Sequence, residues 1–167
     1  MGLVLTLAEI HELEVTESYP AAIDALEERL KTHPAEEETV VRLGFNCWLV
    51  AEEGERIDPT LSTEQYAERF MELFRTYKDT FSESADFCFA FGLGMSLFWY
   101  LYPGATERQG KALLKRASKL DSFYKTIITP ISTFARWRYR TGRHASQEAL
   151  ARRFSGRGVL AKYYAVD

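Results

Sequence analysis

A chain of 167 residues, 46% hydrophobic and carrying a net charge of −3, is long enough to bury a core without disulfide or metal support. Its charge is informative in distribution rather than in sum: residues 1–86 hold 20 Asp and Glu against 7 Lys and Arg, and residues 87–167 hold 4 against 14. The acidic half would repel a nucleic acid, and the two cysteines, Cys47 and Cys88, sit singly inside apolar runs. Nucleic-acid binding and a disulfide framework are therefore not expected, and a reducing cytoplasm is the expected compartment.

The opening Met1-Gly2-Leu3-Val4-Leu5-Thr6 has no basic segment of the secretory kind. It fits the loose myristoylation pattern, but no polybasic partner follows, so membrane anchoring is not expected. From residue 20 the spacing predicts helices almost throughout. Residues 20–32 place Ile23, Leu26 and Leu30 on one face, with Pro20 suited to a first turn and Pro34 as a stop. Residues 36–50, with the stretch "VVRLGFNCWLV", carry Val40, Leu43, Cys47 and Val50 at helical spacing. Gly44 removes a side chain where a neighbouring helix could approach, and Gly54 with Asp58-Pro59 is expected to end the unit.

Ser62 followed by Gln65 reads as a capping box at the start of the next helix, which continues through Tyr66, Phe70, Leu73, Phe74 and Tyr77. Residues 84–102 are apolar on more than one face, so a buried helix is predicted. The run is too short to cross a membrane and ends at Pro103-Gly104. Residues 105–120 return to an amphipathic pattern through Ala112, Leu113, Ala117 and Leu120. Pro130 interrupts the segment 122–139, and Ser146 opens a short run broken by Gly156 and Gly158. The expected fold is all-α, a single domain over residues 1–167 built of antiparallel helix pairs. Residues 144–167 are its C-terminal docking segment, and Leu43, Gly44, Cys47, Leu93, Phe98 and Leu114 are expected inside.

Ala22, Leu26, Leu30 and Pro34, followed by Val40, Leu43, Gly44 and Cys47, resemble the second helix of one tetratricopeptide repeat and the first helix of the next. Cys47 stands where that family usually has an aromatic residue. The resemblance implies irregular helical packing, with Gly44 a helix-contact residue rather than part of a ligand loop.

No catalytic motif competes with this architecture. His11-Glu12 begins like a zinc-protease motif, but Val15 occupies the place of its second histidine. Glu9, Glu12 and Glu14 read as acids on a solvated face, and Cys47 would need His11 or His33 within reach to act as a nucleophile. Gly92-Leu93-Gly94 has no preceding strand to make a dinucleotide turn, and Gly156-Arg157-Gly158 lacks the ending of a phosphate loop. No cofactor and no metal are expected.

Glu64, Glu68 and Glu72 recur at four-residue spacing on one helical face, where like charges destabilise a helix unless a basic partner balances them. With Glu52, Glu53 and Glu55 they form a candidate strip for a basic protein. Arg136, Arg138, Arg140, Arg143, Arg152, Arg153 and Arg157 are expected to cover segments docked against the acidic half. A compact, acidic, all-helical chain of this kind is also similar to bacterial immunity proteins, which bind a cognate toxin and cover its active surface. That likeness implies a protein-binding module whose residues 52–72 face a basic toxin domain. The alternatives are a small helical enzyme with a site assembled from distant residues, and a homo-oligomeric scaffold.

Overall fold

The computed structural model of the chain describes residues 4–125, 127 and 148–163, with residues 162 and 163 described in backbone only. Every regular element among them is helical: α1 (Leu7–Val15), α2 (Tyr19–Thr32), α3 (Glu37–Ile57), α4 (Thr63–Tyr77), α5 (Ala85–Phe98), α6 (Glu107–Leu120) and α7 (Val159–Tyr163). A 3-10 turn, Trp99–Leu101, extends α5, and residues 122–125 and 148–153 are also helical. Gly2, Pro130, Arg136, Arg138, Arg140, Arg143, His144, Ser146 and Tyr164 lie outside the described residues.

The helix ends follow from local chemistry, though not always where the spacing placed them. Reciprocal capping boxes open α1, through Thr6 and Glu9, and α6, through Thr106 and Gln109. In each, the threonine hydroxyl accepts the third-position amide at 3.2 Å. Ser62 does start α4, but its side chain makes no capping bond; Gln65 instead donates its backbone amide to the Ser62 carbonyl at 3.1 Å. Nor does Gly54 end α3, which runs on to Ile57. A Cβ at Gly54 would meet the Thr63 side chain at 2.9 Å, so this glycine lets the start of α4 approach the end of α3. The stop is Asp58, extended at φ −155 and followed by Pro59, which disfavours helical backbone in the residue before it.

Packing centres on α3, whose residues 39–51 are all buried. It lies between α4 and α5, with α2 completing its enclosure, while α6 runs antiparallel to α5. Glycines set the closest approaches. A Cβ on Gly44 would stand 2.5 Å from Cζ of Phe91, and one on Gly92 would stand 2.9 Å from Leu113. Phe91 is fixed in turn by ring contacts with Phe70, Phe74 and Phe87 at centroid distances of 4.8, 5.9 and 4.5 Å. Of the residues expected inside, Leu43, Gly44, Cys47, Leu93 and Leu114 are buried. Phe98 is only partly buried, because α5 reaches the end of the bundle there and turns outward.

Candidate interaction surface

The end of the bundle where α3 and α5 terminate carries the large exposed apolar side chains found among the described residues. Leu97 is 45% exposed, Trp99 45% and Tyr100 65%. They are held out by the 3-10 turn: Tyr102 donates its amide to Trp99 at 3.2 Å, and Gly104 at φ +76 then turns the chain back toward α6. The ridge is anchored from below, since Phe98 lies 6.1 Å from Trp48 between centroids and Tyr102 stacks on Phe70 at 4.4 Å. Tyr102 is 3% exposed, and its hydroxyl has no hydrogen-bond partner among the described residues.

The acids of the predicted strip fall into two groups. Glu52, Glu53 and Glu55 lie on the last turns of α3, beyond the contact of Trp48 with Phe98 and so at the aromatic end. Burial, together with the neighbouring Glu53 charge, pushes the Glu52 carboxyl up to about 7. Glu53 pairs with Arg56, and Glu55 is exposed. Glu64, Glu68 and Glu72 are all exposed along α4, as their spacing requires. The strip is nevertheless partly neutralised. Arg69 reaches Glu72 at 3.1 Å while its guanidinium holds Glu27 of α2 at 2.6 and 2.7 Å, and Arg75, one turn beyond Glu72, donates to the Pro103 carbonyl at 2.6 Å.

At the opposite end of α5, two of the C-terminal arginines do dock against the acidic half. Arg157 grips Glu38 through Nε at 3.0 Å and Nη2 at 2.6 Å, and reaches Asp86 at 2.7 Å. Arg153 bridges Asp86 at 3.1 Å and Asp121 at 2.8 Å. Burial raises the Asp86 pKa, but the Tyr124 hydroxyl, donating at 2.5 Å, and the two guanidiniums outweigh it, so the group is held below the usual carboxylate range.

A buried ionic group lies beside this docking site. Glu14, 0% exposed, pairs with Arg42, 1% exposed, and accepts from Asn46 Nδ2 at 2.6 Å. Arg42 also donates to the Leu7 carbonyl at 3.1 Å. Glu14 is thus a core residue rather than the solvated acid its sequence context suggests. Arg42 and Asn46, which give no chemical signal in the apolar run they occupy, are its partners.

The chemical alternatives find little geometry. Burial raises both the Cys47 and the Cys88 thiol above the ordinary range, which opposes thiolate formation. His11 Nδ1 accepts the Gly158 amide at 2.8 Å, and His33 shares a 2.8 Å hydrogen bond with the Thr32 hydroxyl. Among the described residues no three His, Cys, Asp or Glu side chains are grouped as metal ligands, and no helix is long and apolar enough to cross a membrane. Comparison of the chain with protein-family models, curated proteins and solved structures returns no match.

Proposed function

We propose that the protein is a binding module for a basic protein surface, with the aromatic end of α5 as its apolar anchor and the acids of α3 and α4 as the field that draws the partner in. The observation that carries this reading is the exposed ridge of Leu97, Trp99 and Tyr100 at the end of the bundle where the last turns of α3 carry Glu52 and Glu53. Interfaces draw most of their affinity from a few aromatic or arginine anchors in a desolvated centre, while a charged rim governs association rate and partner choice. An exposed apolar ridge above a packed core matches the first role, and Glu55, Glu64 and Glu68 match the second. A cytoplasmic immunity protein occluding a cognate toxin is the specific form this reading takes, motivated by the acidic half and the helical architecture; TPR-like packing around Gly44 is part of the same proposal.

The electrostatic part is tested by stopped-flow association with the captured basic partner. Replacing Glu64, Glu68 and Glu72 together with Gln is expected to slow association by roughly tenfold at low salt, with little change in dissociation and with the difference shrinking as salt rises. Glu36, Glu37 and Glu38 are poor controls for total charge, because they bind Arg29, Ser84 and Arg157. The exposed Glu12, Asp24 and Asp79 serve instead. Equal slowing by both triple variants would reduce the model to a diffuse field and remove α4 from the interface.

A further inference from the structure

The contacts of residues 148–163 have the form of a ligand in a receptor. The receptor side is contributed by three separated parts of the chain: Glu38 at the start of α3, Asp86 at the start of α5, and Asp121, Phe123 and Tyr124 after α6. Into it the C-terminal segment places two arginines four residues apart. The Arg157 guanidinium lies against both oxygens of Glu38, with Nη1 on Asp86, while Arg153 spans two carboxylates and lies over the rings of Phe123 and Tyr124 at 5.1 and 5.6 Å. Planar forks on paired carboxylates with aromatic faces beneath are a geometry that arginine satisfies and lysine does not.

Four further observations show that the seat is shaped and not merely charged. Gly158 has φ +64, and a Cβ there would overlap the Glu14 carboxylate, so the backbone of the segment lies directly on the buried ionic group. Its amide is received by His11 Nδ1 at 2.8 Å. Below, Asn46 is 0% exposed and its side-chain oxygen has no donor among the described residues. Apolar side chains complete the seat: Leu150, Phe154, Val159 and Leu160 are each at most 3% exposed. The hydrogen-bond partners of Arg153, Arg157 and Gly158 outside the segment lie between 32 and 147 residues away in sequence.

We infer that this seat is an arginine-peptide recognition site which the chain's own C-terminal segment occupies as an internal ligand. A partner segment bearing two arginines four residues apart, the second followed by glycine and aliphatic residues, competes for it. The site is separate from the aromatic end: Asp86 and Leu97 lie at opposite ends of α5. Because the internal segment belongs to the same chain, its docking is intramolecular, so the seat stays closed to weak competitors and opens to those that match it.

The test uses the full chain and a fluorescein-labelled peptide of residues 148–163 read by anisotropy. An Arg153→Gln, Arg157→Gln variant, its own segment weakened, is expected to bind the peptide roughly tenfold more tightly than wild type does. Binding is expected to weaken with salt and to be lost when the peptide carries Gln at both arginines or when the receptor also carries Glu38→Gln. If the double variant loses its helical signal, Arg157→Lys is read in the same way, with a smaller gain because the bidentate fork is gone but the charge stays. Equal binding by wild type and variant, no binding to the variant, or equal binding of the arginine-free peptide would overturn the inference.

Discussion

Replacing Arg42 with Met should cost several times more stability than a typical substitution of a surface polar residue. The guanidinium is 1% exposed and its partner Glu14 is 0% exposed, so neither charge has water to fall back on. Arg42 supplies Glu14 with its ion pair and a second, long contact from Nε at 3.5 Å, and also satisfies the Leu7 carbonyl. Methionine fills similar volume without the donors, leaving Glu14 with Asn46 alone at 2.6 Å. Breaking a buried pair from one side costs about 3–5 kcal/mol, against a total of about 5–15 kcal/mol for a domain of ordinary stability. Removing both charges, with Glu14→Leu added, eliminates the stranded carboxylate. Asn46 Nδ2 keeps its 2.9 Å bond to the Arg42 backbone carbonyl, which the substitution leaves in place. The double variant should therefore be more stable than Arg42→Met alone, with a coupling of about 2 kcal/mol or more. Urea unfolding followed by circular dichroism at constant m-value measures all three free energies. Arg42→Met within about 1 kcal/mol of wild type, or strictly additive losses in the double variant, would refute the account of this site.

Three further perturbations test other parts of the structure. Gly44→Ala drives a methyl group into Phe91, itself locked by three rings, and should lower stability by about 1–3 kcal/mol as overpacking despite alanine's better helix propensity; a raised melting temperature would contradict the packing. Glu52 has a folded-state pKa raised from 4.5 to about 7, so the folded chain disfavours its charged form. That penalty is absent below the unfolded value, grows as pH rises between the two, and is complete above about 7. Because the group is only half-buried, Glu52→Gln should stabilise by only about 1 kcal/mol near pH 8 and by nothing near pH 4, and a pH-independent effect would count against the burial assigned to it. Cys47 should resist thiol reagents in the native state and react at once in denaturant, whereas rapid native labelling would contradict its enclosure.

The sequence revealed the helices and the helical contact at Gly44 because both are encoded locally, in spacing and in a missing side chain. The tighter approach at Gly110, where a Cβ would overlap the Ser96 backbone, is not encoded in this way, because that glycine stands between Gln109 and Lys111 in sequence and the backbone it meets lies on α5. Glu64, Glu68 and Glu72 are exposed as their period demands, whereas the placement of Arg69 beside Glu72 depends on its second partner, Glu27 of α2, and that of Arg75 on the Pro103 carbonyl. The ionic core has no local signature in the sequence for a similar reason. Glu14 is separated from Arg42 by 28 residues, and on α1 it looks like any other surface acid. The docking of Arg153 and Arg157 was foreshadowed by the charge asymmetry, but the identity of Glu38, Asp86 and Asp121 as their receivers is a property of the packed helices alone. The aromatic ridge was hidden most completely, since Leu97, Trp99 and Tyr100 close an apolar run that reads as core until the 3-10 turn rotates them outward.

The proposal of a basic protein partner anchored at this ridge is tested most directly by affinity capture with the wild-type chain and with a Trp99→Ala, Tyr100→Ala variant of unchanged urea midpoint, followed by calorimetric titration of the captured protein into each. The account predicts one basic protein that binds the wild type and loses roughly a hundredfold or more in affinity to the variant, as removal of two central aromatic anchors requires. Equal affinity of that protein for both chains would contradict it.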